Sequence, residues 1–352
     1  MRCFPWPNPG RLQIVHLSRG NVVGAQAHYA GTGNHQARRW FIVNIIGGRS
    51  GSSRVLSRRG TMLIHAGYTL TFDCNAPTPV IAMLNVHPSR LVDLRSPYEM
   101  SIGAATDRED YRDAFGNICT RLMMPTGVTT LSCDFVIEDS GKPDPQYPAD
   151  QQPVEELPAE ILTYLLGSRY CDTDRLTTEA WRLFGGTTPG APRVRAIVDF
   201  VHQHITYGYC YARATRTAYE AYGERVGVCR DFAHLAVALC RCMNIPARYC
   251  SGYLGDIGVP PVDVAMDFHA WFEVYLGNSW HAYDARHRIP RTGRILMAVG
   301  RDAADTALTT AFGWARLIRF EVHTEEMSAL APRIVPRHDP LLAHDGILEL
   351  VV

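Results

Sequence analysis

The sequence predicts an α+β chain, with an all-β sandwich preceding a core whose helices lead into a strand hairpin. Three observations carry this. Between residues 62 and 137, short apolar runs of strand character recur between turn residues. Residues 139–158 are rich in Pro, Asp and Gln, and beyond them the apolar spacing takes the helical period. Further on, Gly277-Asn278 separates two strand-like runs, a strong hairpin signal.

Taken in order, residues 1–61 carry nine arginines and no Asp or Glu, with no periodicity apart from a run at 40–46. They read as a disordered extension, or as sequence upstream of a true start at Met62. Arg38-Arg39 before that run faintly resembles an export signal, but the run is short and deep in the chain. Strands are expected over 63–72, 80–84, 98–102, 116–123 and 128–137, making 62–138 the β domain. The acidic run at 107–113 matches no metal-loop spacing and reads as a solvated turn. Residues 139–158 read as a linker.

The mixed core is expected over 159–325, with 326–352 as a tail. Helices are expected at 159–166, at 175–184 capped by Asp174, and at 193–205 opened by Pro192. Thr217 and Glu220 have capping-box spacing for a short helix. Next come a helix over 229–243, with Phe232, Leu235, Ala236, Leu239 and Met243 as its apolar stripe, and a strand over 247–253. The hairpin strands are expected at 268–276 and 279–285, and a last strand at 315–323.

The formal net charge is zero, which gives no bulk electrostatic case for nucleic acid. Residues 62–352 taken alone hold 26 basic and 35 acidic groups. No stretch reaches the roughly 18 apolar residues of a membrane span. The ten cysteines lack disulfide-framework spacing and any Cys-x-x-Cys, so a reducing, cytoplasmic setting is expected. No cofactor is expected.

The chemistry centres on Gly227-Val228-Cys229, which places a thiol at the start of a helix. There the helix dipole and a partner His⁺ can lower a thiol pKa from about 8.5 to roughly 3.5–7.5. A two-residue turn at 277–278 pairs position 284 with 271. Trp271 shares a face with His269, so Asp284 and His269 lie diagonally on one face. Cys229, His269 and Asp284 therefore make a nucleophile–base–orienter set. The Cys229 N–H is a candidate oxyanion donor, with Gln203, Tyr207 and Tyr209 as candidates for a second. The same parity puts His281 on the opposite face. His234, about 140° round the helix from Cys229, reads as structural. Cys240 with Cys242 and His202 with His204 sit at i, i+2 on helices and point apart, which argues against zinc.

These residues also carry a resemblance. Thr217-Ala218-x-Glu220, Gly227-Val228-Cys229-Arg230-Asp231-Phe232-Ala233-His234-Leu235, Asn244-Ile245-Pro246-Ala247-Arg248-Tyr249 and Ser251-Gly252-Tyr253 resemble the bacterial transglutaminase-like family. His269-Ala270-Trp271 and Tyr283-Asp284 fall where that family carries its His and Asp, and Asp302-Ala303-Ala304-Asp305 resembles a later segment. The resemblance covers about residues 150–325. It implies a papain-like core with Cys229 as nucleophile, His269 as base and Asp284 as orienting carboxylate. Arg230 stands where relatives often have Gln, and is expected at the rim. The implied activity is acyl transfer on peptide or amide bonds of a peptide or protein substrate. Hydrolysis is favoured, because no feature for holding a second amine is evident. Protein-glutamine transamidation and a non-catalytic binding module of the same fold are the alternatives.

Overall fold

The computed structural model describes residues 61–103, 107–145, 148–261 and 266–327. The readings made for residues 1–60 and for the tail beyond 327 lie outside the described residues. The elements in chain order begin with β1 (Met62–Cys74), β2 (Thr78–Ala82), β3 (Ser101–Ile102), β4 (Arg108–Arg112), β5 (Ile118–Met124) and β6 (Gly127–Asp139). The helical part holds α1 (Thr173–Phe184), α2 (Ala191–His204), β7 (Thr206–Tyr207), α3 (Ala218–Glu224), β8 (Val226–Gly227) and α4 (Cys229–Cys242). Then follow β9 (Ala247–Tyr253), β10 (His269–Leu276), β11 (Ser279–Tyr283), β12 (Ile295–Gly300), β13 (Thr309–Ala311) and β14 (Ala315–Glu326).

Two four-stranded sheets, β14-β1-β6-β3 and β13-β2-β5-β4, make the sandwich. Along β1 the even residues Ile64, Ala66, Tyr68, Leu70 and Phe72 point into one core with Val80, Leu122, Leu131 and Phe135. Two sequence expectations change here. The run at 107–113 contains strand β4, paired with β5 from Arg108↔Leu122 to Arg112↔Ile118. All five β4 residues are exposed, so no apolar alternation announces the strand. The last strand, assigned by position to the mixed core, pairs antiparallel with β1 in the same sheet of the sandwich, from Ile64↔Glu326 to Cys74↔Ala315. Sequence distance hid that pairing.

The second half is a four-stranded sheet, β11-β10-β9-β12, against which α4 packs with α1, α2 and α3 around it. Every residue of α4 is buried, the polar Arg230, Asp231, His234 and Arg241 included, so it is the central helix. Residues 159–165 form the short helix expected there, wound as a 3-10 helix. The stretch read as a linker is docked along this half. Asp144 accepts from the Arg291 N–H at 3.0 Å and Arg294 Nε at 2.8 Å. Gln151 donates to Met243 O at 2.9 Å, and Ala149 O accepts from Ala191 N at 2.9 Å. Asp144, Ala149 and Gln151 thus hold the stretch in place. Gly190 permits the approach, because a Cβ there would stand 2.4 Å from Ala149 O, and its φ is +82°.

The sandwich core does not stop at the sandwich. Tyr253, Phe268, Ile295 and Met297 belong to the same buried cluster as Ile64 and Phe135. Burying a Phe stabilises by roughly 1.5–3 kcal/mol. Phe268 thus anchors the first turn of chain before His269 in the sandwich core, and the β half fixes where β10 begins.

Candidate active site

The site is built from the start of α4 and the ends of β10 and β11. At α4 the N-cap is Val228, whose side chain has no acceptor. The helix end is instead satisfied by Asp231, three residues on, whose Oδ2 accepts from the Val228 N–H at 2.9 Å. The same oxygen accepts from Arg216 Nη1 at 3.0 Å. Gly227 exists to admit that carboxylate, since a Cβ there would lie 2.6 Å from Asp231 Cβ and Oδ2. Arg230 is buried rather than on the rim, and its guanidinium donates to the carbonyls of Ala214, at 2.9 Å, and Arg213. These groups hold Cys229 as the first helical residue, where its N–H has no acceptor one turn earlier.

The hairpin register is the expected one: Phe272 pairs with Tyr283 and Leu276 with Ser279. Asp284 is the first residue past β11, and its Oδ2 lies 2.8 Å from His269 Nε2. That bond puts the proton on Nε2 and leaves Nδ1 as the acceptor. Cys229 and His269 line one cavity of about 320 Å³, together with Tyr209, Asp256, Asp267, Arg286, His287 and Arg291. Cys229 also packs against Ala270, the residue after His269. The structure thus brings together all three sequence-chosen side chains.

Their electrostatics differ from the expected thiolate. Cys229 is 6% exposed and His269 4%. Burial pushes the Cys229 thiol up to about 11, the charge of Asp267 adding to it and Arg286 and the Ala270 backbone opposing it. Burial pulls His269 down to about 4 despite Asp284 beside it, with His287 and Arg294 lowering it further. Both shifts favour the uncharged forms, a thiol and a neutral imidazole. Burial alone would raise the Asp284 carboxyl, but His269, His287 and Arg294 overcome it and hold the group well below the usual carboxylate range.

Asp284 is saturated. Beyond His269, its Oδ2 accepts from His287 Nδ1 at 2.9 Å and Arg294 Nη2 at 3.2 Å. Its Oδ1 accepts from the Arg286 and His287 N–H groups, each at 3.0 Å. Sequence reasoning missed His287, Arg294 and Asp267. His287 had a readable signal, a histidine three residues after the orienting Asp; Arg294 had none. Asp267 is pushed up to about 7, chiefly by burial, against the Phe268 backbone and Arg286, and its Oδ1 is buried without a partner. His269, Asp284 and His287 could together offer three ligand atoms to a metal. The Arg294 cation and the backbone donors already occupy the carboxylate, so the set fits proton chemistry better.

Of the candidate second oxyanion donors, Tyr209 lines the cavity, Tyr207 lies under the Arg286 guanidinium at 3.8 Å, and Gln203 is exposed on α2. His234 is buried, its Nε2 accepting from the Ala303 N–H at 3.1 Å beneath a stacked Tyr170. The Asp302 turn that supplies this donor is thus a structural lock. His202 meets Arg286 O at 2.9 Å and His204 meets Tyr222 O at 2.7 Å. Cys240 and Cys242 are buried in the helical core.

Residues 180–285 match the transglutaminase-like superfamily. A solved structure from Cytophaga hutchinsonii, provisionally assigned as a cysteine protease, is 28% identical with a TM-score of 0.67, covering 82% of this chain and 96% of that one. An uncharacterised Mycobacterium leprae protein is 40% identical over 84 residues, 23% of this chain. That alignment spans only 30% of the relative's length. An uncharacterised protein of Mycobacterium tuberculosis is 28% identical over 222 residues, 57% of this chain and 71% of that protein. The chain carries a transglutaminase-like domain.

Proposed function

We propose that this transglutaminase-like chain is a cysteine-dependent enzyme that cleaves peptide or amide bonds through an acyl-enzyme on Cys229. The observation that carries the reading is the buried 2.8 Å His269–Asp284 hydrogen bond in the cavity that Cys229 lines. From the neutral resting pair, His269 Nδ1 takes the thiol proton as Sγ attacks the carbonyl carbon. The Cys229 N–H, at the positive end of α4, faces the developing oxyanion. Asp284 holds the imidazolium that forms. His269 then returns the proton to the leaving amine, and water repeats the sequence to release the acid. Similarity to the Cytophaga hutchinsonii protein supports hydrolysis.

One observation favours transamidation as a second reading. The unpartnered Asp267 oxygen borders the nucleophile's cavity, where it suits the ammonium of an amine acceptor. A peptide library assayed with and without a primary amine separates the two. Cleavage unaffected by the amine is expected; amine incorporation without cleavage replaces the first reading by the second.

A further inference from the structure

On the outer face of the sandwich, three strands distant in sequence converge at His65 on β1, Asp134 on β6 and His323 on β14. Gly67 is the register partner of both Asp134 and His323, and His65 lies two residues along β1 on the same face. Strands on either side of β1 are separated by about 9–10 Å, too far for ordinary side chains to meet over a filled position. Position 67 is not filled. A Cβ there would stand 2.5 Å from His323 Cε1 and 2.9 Å from its Nε2, so the imidazole lies over the glycine. It reaches within 3.4 Å of Asp134 Oδ1, and His65 Nε2 meets the same oxygen. The two rings are 4.7 Å apart, and the three ligand atoms lie within 4.8 Å of one another.

We propose that His65, Asp134 and His323 bind a divalent ion of the zinc class that ties the closing strand β14 to β1 and β6. Two imidazole nitrogens and one carboxylate oxygen suit Zn²⁺, Co²⁺ or Ni²⁺ rather than Ca²⁺ or Mg²⁺, which take all-oxygen shells. The imidazoles are about 40% exposed, so an ion can enter from solvent. Glu325, the register partner of His65, stands beside the site as a fourth ligand, or water fills that position. The remaining geometry needs only closure of the side chains around the ion.

Titrating the full chain with Zn²⁺ by calorimetry, and with Co²⁺ by its visible spectrum, tests this. One equivalent is expected outside the pocket, with Tm rising by about 5 °C at a hundredfold excess over Kd. The His65→Ala/His323→Ala double variant is expected to weaken that binding by about 100-fold or more, while His269→Ala retains it. Should the double variant misfold by circular dichroism, Asp134→Asn makes the same test with an isosteric side chain. No binding at millimolar zinc overturns the proposal, and so does binding that disappears with His269→Ala rather than with the sandwich variants.

Discussion

Two His–Asp–His clusters stand among the described residues, and their surroundings separate them. In the pocket, His269, Asp284 and His287 are joined by Arg294 and two backbone N–H groups, and Asp284 is 4% exposed. On the sandwich, His65, Asp134 and His323 meet over a glycine in partial contact with water, with the Asp134 side chain 68% exposed. The same three residue types thus meet different surroundings. A carboxylate fixed by a buried arginine is committed to orienting an imidazole and holding its charge. A carboxylate shared only by two imidazoles keeps room for a cation. Burial and the neighbouring cation decide the chemistry, not the composition of the triplet.

The comparison breaks first on rate. Cys229→Ala is expected to abolish turnover, and Asp284→Asn to lower kcat by about 10³–10⁴-fold by losing the imidazole's tautomer. His65→Ala should leave kcat unchanged. A fall with His65→Ala equal to that with Asp284→Asn would erase the distinction between the clusters.

Stability comes next. Gly227→Ala drives a Cβ into Asp231, which is buried and satisfies both the α4 end and Arg216. The expected loss is about 3 kcal/mol, read by chemical denaturation. A change below about 0.5 kcal/mol, the size of an ordinary surface substitution, would show that Asp231 does not hold the helix start.

Acidity sharpens the picture within the pocket. His269 is lowered to about 4 on folding, so the unfolded chain binds more protons between its ordinary value and 4. Its contribution is present above pH 6.5 and is lost as pH falls through that window. Asp267 is raised to about 7, so it works oppositely, favouring the fold at low pH and losing that contribution as pH rises through 7. The two slopes offset each other in the native chain. Asp267→Asn should therefore expose a fall in Tm on acidification from 6.5 to 4, and His269→Ala a fall as pH rises to 7. Parallel profiles in both variants would contradict the assignment. Asp267→Asn should also shift alkylation of Cys229 to lower pH, because Asp267 helps raise that thiol.

The smallest effect expected is at His287. Replacing it by Gln keeps a donor toward Asp284 but removes an imidazole that lowers His269. The acid limb of the kcat/KM profile should move up, with kcat falling less than about tenfold. An unmoved limb would mean that His287 does not tune the base.

Much of this is legible in the sequence. The Gly277-Asn278 turn fixed the parity that pairs His269 with Asp284, because a two-residue loop leaves one register. The capping box of Thr217 and Glu220 appears as read, and β9 spans the residues expected. What escaped was non-local or unpatterned. β4 has no buried residue, and β12, buried almost throughout, has no alternation to read. The β14–β1 pairing joins residues about 250 apart, which periodicity cannot report. The burial that raises the Cys229 thiol escaped for a related reason, because motif spacing says nothing of how deeply a side chain is buried. Asp231 shows the limit from the other side. Its spacing after Gly227 was visible, but only the 2.6 Å contact explains why the glycine is there.

The proposed mechanism requires an acyl group to pass through Cys229. An activated ester of a peptide, mixed with the full chain and quenched for mass spectrometry, tests that directly. The expected result is a burst of one equivalent with the acyl mass on Cys229, absent in Cys229→Ala and slowed by about 10³-fold or more in His269→Ala. An acyl mass on the exposed Cys210 instead, or an adduct on Cys229 that forms as fast without His269, would contradict it.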